Sequence, residues 1–446
     1  HGVVTSEPRV ETAPPRQPPV EDAVVVADVG ASMDTGPEST PSDVPPHVDP
    51  LTPPSYPHFD MVVDAARGAV NAWVHLIHVD MVDGAPVFYP FGYADTSDQA
   101  DYWPASTIKV YPAVAALVLL KSYGVSLDAE ATFYHESGGK WVKDTTRTFR
   151  DLIFGSFNCS SNTDYTLLLR FAGIDWLSTE FFIPEHGFTK SVLMSGYVSG
   201  RPNVYKRNEG QRIVVTDGDV TFTREHTWSG TKYAHEVGCS VFYASDAANC
   251  SSTHDMAEHL RRLMFHEQNP AEERFDVRLA DLDWLRYGGP EPVMNNKDTC
   301  GGPGWAGVSR VLPDADFYHK GGRVSSYRLD LQYIEDEASD TRYVVAMATD
   351  TGSNGVVEKL SEEIARMVRT PDYYVHLANL ADHVNPVVAK LTVYAAEPAL
   401  LELVVKNEGE DPWDETGWTA LPETAIEIPA GVSSHILPSG CLGSSG

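Results

Sequence analysis

The stretch Ala105-Ser106-Thr107-Ile108-Lys109, followed by the apolar run Val110 to Leu120, decides how this chain is read. Serine and lysine three positions apart stand about one helical turn from each other, so a helix begun here carries both side chains on one face. A serine hydroxyl becomes a nucleophile only when a base lies within hydrogen-bond reach. A lysine that is partly desolvated, or crowded by a second cation, can lose its proton and act as that base. The start of a helix adds unpaired N–H groups and a positive dipole end. Pro112 lacks a donor and crowds the Ile108 carbonyl, which predicts a bend after the second turn. Taken alone, such a pair more often marks a solvated helix start.

Two later segments change that balance. At Cys159-Ser160-Ser161-Asn162 a serine stands two residues before an asparagine and leads into an apolar helical stretch ending at Gly173. At His319-Lys320-Gly321-Gly322-Arg323 a lysine precedes two glycines, between the strand-like runs Ala315–Tyr318 and Ser325–Ile334. The leading residues of the three segments are 54 and 160 positions apart. Each has a plainer reading: Ser160 and Asn162 as a helix cap, Lys320 to Gly322 as a hairpin approach.

Ser-x-x-Lys, then Ser-x-Asn, then Lys-x-Gly, in that order, resembles the serine β-lactamase and penicillin-binding protein superfamily, with class A β-lactamase-related hydrolases nearest. The resemblance covers roughly Phe59 to Thr370. It implies an α+β fold, an antiparallel β-sheet flanked by helices plus an all-helical lobe, with the site in the cleft between them. It implies that Ser106 attacks a strained or D-configured amide carbonyl, that Lys109 takes its proton, and that Ser160 relays a proton to the leaving nitrogen. Asn162 then holds the substrate and orients Lys109. Lys320 attracts the substrate carboxylate, Gly321 and Gly322 let substrate approach the strand, and the N–H groups of Ser106 and Arg323 form an oxyanion hole. The expected substrates are β-lactams or cell-wall peptides ending in D-Ala-D-Ala-like amides. No metal and no cofactor is required.

The sequence departs from this family at three places. Ser161 replaces the usual aspartate, and Gly321 stands where a hydroxyl residue normally meets the substrate carboxylate. No Glu-x-x-x-Asn loop is present to activate a deacylating water. Counting back from Met256-Ala257 brings Glu236 to the expected place as a deacylation base, with Glu180 and Glu185 as weaker candidates. Three functions follow: a hydrolase that completes its cycle, a penicillin-binding protein or DD-peptidase that deacylates slowly, or a non-catalytic peptidoglycan-binding protein.

Composition bounds the rest. The 446 residues carry 63 acidic against 33 basic side chains, a formal net charge of −30. That balance disfavours nucleic acid and anionic membranes as partners. No stretch of about 18 uninterrupted apolar residues predicts a membrane span. The chain opens at His1 without methionine, as after leader removal. Residues 1–57, rich in Pro, Glu, Asp, Ser and Thr, read as a disordered tether. The expectation is an exported bacterial protein, periplasmic or extracellular, and a monomer. Five cysteines suit an oxidising compartment. Cys239 and Cys250 close a short loop and are the first choice for a bridge. A zinc site from these two and His254 lacks a fourth ligand.

The resemblance implies a catalytic domain over residues 58–371, and periodicity outlines its elements. Trp73–Val79 and Pro86–Gly92 alternate like strands joined at Asp83-Gly84. Residues 125–190 read mainly as helices and loops. Residues 197–250 read as an insertion with turns at Asp217-Gly218 and Ser229-Gly230. Ser252-Thr253 caps a helix over Asp255–Phe265. A glycine-rich turn at Gly301–Gly304 leads to strands at Ala315–Lys320, Tyr327–Ile334 and Tyr343–Thr349, then a helix at Val356–Val368. Residues 372–446 hold strand-like runs at Ala389–Val405 and Ala425–Ile428, a small C-terminal β extension.

Overall fold

A computed structural model describes residues 56, 59–95, 100–158, 160–198, 210–233, 239, 248–297, 303–324 and 326–370, and the backbone of 399–401 and 426–428. The expected tether (apart from Tyr56), Glu236, and most of the C-terminal extension lie outside the described residues.

Two strands from the start of the described chain and three from its end build one antiparallel sheet. They are β1 (Ala72–Val82), β2 (Ala85–Gly92), β7 (Asp316–Val324), β8 (Tyr327–Asp336) and β9 (Thr341–Thr349), in the spatial order β2-β1-β9-β8-β7. The β1–β2 turn falls at Asp83 and Gly84, both with positive φ, as the dipeptide predicts. Alternation divides the faces. Tyr343, Val345 and Met347 pack with α1 (Phe59–Arg67) and α9 (Asn354–Arg369), while Val344 and Ala346 join the larger core of the helical lobe. The α+β expectation, a helix-flanked antiparallel sheet beside a helical lobe, is what this chain adopts.

The lobe is centred on α2 (Val110–Ser122), almost every residue of which is buried. Around it lie α3 (Phe149–Asn158), α4 (Asn162–Ala172), the short α5 (Ile174–Trp176), α6 (Thr253–Met264) and α7 (Leu279–Tyr287). Ala105–Ser122 is apolar and long enough to span a bilayer by composition, yet it forms this core and is 78% buried. Ser252 caps α6 through the Asp255 N–H, as the sequence predicts.

Three local expectations are corrected. Residues 130–148 are not helix and loop but a hairpin, β3 (Glu130–Ser137) and β4 (Lys140–Thr148), turning at Gly138-Gly139. Its buried Ala131 and Phe133 alternate at period two, so the signal was that of a strand. With β5 (Gln211–Asp217) and β6 (Val220–His226) from the expected insertion it makes a second sheet, β4-β3-β5-β6. Pro112 produces no break: α2 runs continuously, and Pro112 stands in its first turn, where a missing N–H costs nothing. Gly304 opens the short helix α8 (Gly304–Val308) rather than closing a turn. At the C-terminus, β10 (Ala399–Leu401) and β11 (Ile426–Ile428) pair antiparallel.

Candidate active site

Ser106 and Lys109 lie in a 3₁₀ turn, Ala105–Lys109, that runs directly into α2. In a 3₁₀ turn, residues i and i+3 eclipse, which aligns the two side chains more closely than an α-turn does. Lys109 is fully buried and Ser106 half-buried. The turn is entered through Ala105 at φ 48°, a left-handed conformation unusual for a residue with a Cβ.

Ser160 comes from the loop between α3 and α4, and Asn162 is the first residue of α4. The cap of α4 is Ser161, whose hydroxyl accepts from the Asp164 N–H, and not Ser160. The plainer reading of Ser160 is thereby corrected: a neighbour does the capping, which leaves the Ser160 hydroxyl for the cleft. Ser160 itself sits at φ 51°.

Lys109 Nζ meets three oxygens of this segment: the Ser160 carbonyl, Ser160 Oγ at 3.1 Å and Asn162 Oδ1 at 2.8 Å. Lys320 Nζ reaches the same Ser160 Oγ at 3.1 Å and the Gly321 carbonyl at 3.1 Å. Burial first, then the nearby Lys320 cation, pushes the Lys109 ammonium down to about 6, with the Asp164 carboxylate opposing the shift. At neutral pH the amine is therefore mostly unprotonated. A neutral amine has two N–H groups and one lone pair. The Ser160 carbonyl and Asn162 Oδ1 accept the two hydrogens, which leaves the lone pair to receive a hydroxyl proton. Ser160 Oγ, already accepting from Lys320, can supply one.

The third segment lies inside β7, not between two strands as the sequence suggested. β7 is a sheet edge. The His319 N–H goes to the Met294 carbonyl, away from β8. Because the two sides alternate along an antiparallel strand, Gly321 and Arg323 also present N–H and C=O to the open edge. The Arg323 side chain is exposed. Gly322 packs closely against the Ser106 turn. A Cβ there would stand 3.1–3.2 Å from Thr107 Cγ2, the Pro104 carbonyl and the Thr107 nitrogen. Its missing side chain lets β7 lie against the Ser106 turn.

No hydrogen bond of the Ser106 hydroxyl is seen among the described residues. Glu180 and Glu185 are exposed, and neither hydrogen-bonds Ser106, Lys109 or Ser160 among the described residues. The zinc alternative is overturned, because Cys239 and Cys250 are joined as a disulfide, Cα–Cα 5.5 Å.

Tyr197 is a site neighbour that no sequence signal marked. Its hydroxyl donates to the Ala105 carbonyl at 3.0 Å, and its ring stacks on Trp103 with centroids 5.4 Å apart. It also meets Tyr165 at a tilt, with centroids 4.6 Å apart, and the Tyr165 ring lies 5.9 Å from Lys109 Nζ.

No family model matches the chain, and no curated protein matches it. Solved structures do. The chain is similar to a β-lactamase from Sphaerobacter thermophilus DSM 20745 at 15% identity, covering 71% of this chain and 97% of that one, with a TM-score of 0.44. It is similar to PBP-A at 16% identity, 69% and 95% coverage and a TM-score of 0.45. It is also similar to the TLA-3 extended-spectrum β-lactamase at 14% identity, 71% and 100% coverage and a TM-score of 0.46.

Proposed function

We propose that this chain is an exported bacterial serine hydrolase of the β-lactamase-related kind, forming an acyl-enzyme at Ser106 with β-lactams or D-Ala-D-Ala-like amides. The observation that carries it is the buried Lys109 amine, held by Ser160 and Asn162 and crowded by Lys320. A base for this chemistry needs a depressed proton affinity and a hydroxyl to pass a proton through, and Lys109 has both. The Cys239–Cys250 bridge supports export to an oxidising compartment.

In acylation, the Ser106 Oγ–carbonyl bond forms as the Oγ–H proton passes to Lys109 Nζ. The oxyanion faces the N–H groups of Ser106 and Arg323. Expulsion breaks the C–N bond, and the nitrogen takes the Ser160 hydroxyl proton, which Lys109 replaces. Lys109 ends neutral and the proton has moved from Ser106 to the leaving nitrogen. Lys320 holds the substrate carboxylate, and the open edge of β7 at Gly321 and Arg323 pairs with the substrate backbone. Hydrolysis repeats the steps with water as nucleophile and Ser106 as leaving group.

A second reading has one observation in its favour. Among the described residues no carboxylate hydrogen-bonds Lys109 or Ser160, and Glu236 lies outside them, so of the described side chains Lys109 is the one placed to activate water. That suits a penicillin-binding protein whose acyl-enzyme persists. Intact-mass measurement over time, with a reporter penicillin and a Ser106→Ala control, separates the cases. Product with a transient adduct supports the hydrolase, and a lasting adduct absent from the variant supports the slow enzyme. A chain that yields neither loses the β-lactam reading, and if Ser106 also resists a neutral sulfonyl fluoride it is a peptidoglycan-binding protein without chemistry and the proposal fails.

A further inference from the structure

The Ala105–Ser106 peptide has two ends that matter. Its N–H belongs to Ser106 and is the oxyanion donor of the proposed reaction. Its carbonyl accepts from the Tyr197 hydroxyl at 3.0 Å. A peptide group is a rigid plane, so fixing the oxygen fixes the direction of the N–H. The plane is held in an unfavourable setting, because Ala105 is left-handed at φ 48° and bears a Cβ. Such a setting persists only where surrounding contacts over-determine it. A hydrogen bond accepted at the carbonyl also polarises the amide and makes its N–H a stronger donor.

Tyr197 is itself firmly seated. Its N–H donates to Thr166 Oγ1 at 3.0 Å, and that hydroxyl donates to the Asn162 carbonyl at 2.8 Å, which ties it to the loop bearing Ser160. The two residues before Gly196 are fastened to buried Asn249. The Met194 and Ser195 N–H groups both reach Asn249 Oδ1, at 2.8 and 2.9 Å, and Asn249 Nδ2 returns to the Ser195 carbonyl at 2.8 Å. Asn249 also donates to the Tyr165 hydroxyl at 3.0 Å and adjoins the Cys239–Cys250 bridge. The ring stacks on Trp103 and meets Tyr165 at a tilt. The phenol is thus a strut with one foot on α4 and the other on the turn that carries the nucleophile.

The geometry points to Tyr197 as the positioning residue of the oxyanion donor: its hydroxyl holds the left-handed turn at Ala105 so that the Ser106 N–H faces the cleft. This role rests on the acyl chemistry assigned above to Ser106.

Tyr197→Phe removes one oxygen and leaves the ring against Trp103 and Tyr165. Two reagents are used on the full chain: a reporter penicillin, and a neutral sulfonyl fluoride that reports Ser106 reactivity without needing a β-lactam site. The acylation rate constant is expected to fall tenfold to a hundredfold in Tyr197→Phe, with pre-acylation binding within twofold and the acid limb of the pH profile unmoved. In an Ala105→Gly background, where glycine adopts the same φ without strain, the same change is expected to cost less than threefold. A rate within twofold of the unaltered protein, a loss confined to binding, or an equal loss in both backgrounds overturns the role. An unaltered protein that ignores penicillin but is labelled at Ser106 by the sulfonyl fluoride sinks the substrate reading alone, and Tyr197 is then judged on the second reagent. An unaltered protein inert to both removes the two together.

Discussion

Replacing Lys320 by methionine removes a charge and keeps most of the side-chain length, and it should move the acid limb of Ser106 reactivity upward. Both lysine nitrogens stand 3.1 Å from Ser160 Oγ, so they are no more than about 6.2 Å apart. At an effective dielectric of about 20, two like charges at that separation repel by about 2.7 kcal/mol, equivalent to about two pH units. Lys109 sits at about 6, some 4.5 units below its ordinary value, and burial is the larger cause. Two units from Lys320 leave the greater part to burial, in agreement with that order. Lys320→Met is therefore expected to shift the limb from about 6 to about 8, and at pH 7 to cut the neutral fraction of Lys109 from about nine-tenths to about one-tenth. The assay is the pH dependence of Ser106 modification by the neutral sulfonyl fluoride, which carries no carboxylate and so does not sense the loss of an anion-binding group. The variant should react about tenfold more slowly at pH 7 and recover above pH 9. A limb that stays near 6 would show that burial alone sets the Lys109 proton affinity. A wild-type limb near 10 would remove Lys109 as the base altogether.

Lys109→Met should abolish acylation and change how stability responds to pH. Between about 6 and 10.5 the unfolded chain binds a proton at Lys109 that the folded chain does not. Wild-type stability therefore rises with pH relative to the variant, by up to about 1.4 kcal/mol per unit. Urea unfolding of both chains at pH 6.5 and 8.5 reads this, and a pH-independent difference contradicts it. Ser161→Ala should cost about 1 kcal/mol by removing the α4 cap, while Ser160→Ala should leave thermal stability nearly unchanged and slow acylation by about 10²–10⁴-fold. Reversed effects would return Ser160 to the capping role. Gly322→Ala places a Cβ 3.2 Å from the Pro104 carbonyl, a backbone atom that cannot swing aside. It should destabilise by about 1–3 kcal/mol and lower kcat more than it raises KM, and unaltered kinetics would free β7 from the Ser106 turn.

Much of the architecture was legible because its signals are local. The Asp83-Gly84 turn, the Ser252 cap and the continuous apolar run Tyr343–Thr349 each depend on residues within a few positions of one another. The β3–β4 hairpin was equally local, and was missed because its Thr, Lys and Asp content hides the alternation that Ala131 and Phe133 carry. The capping exchange between Ser160 and Ser161 was not legible, because two adjacent serines offer the same hydroxyl and only the backbone turn at Ser160 selects between them.

By itself the sequence determined which side chains were available, in what order, and that an apolar helix had to follow Ser106. Only the tertiary structure decided their chemistry. A lysine loses its proton through burial and a neighbouring charge, and both come from chain segments more than fifty and two hundred residues away. The Gly322 contact with the Ser106 turn and the Tyr197 bond to Ala105 are of the same kind. Each is a short-range force between groups that share no sequence neighbourhood, so it exists only once the sheet and the helical lobe have come together.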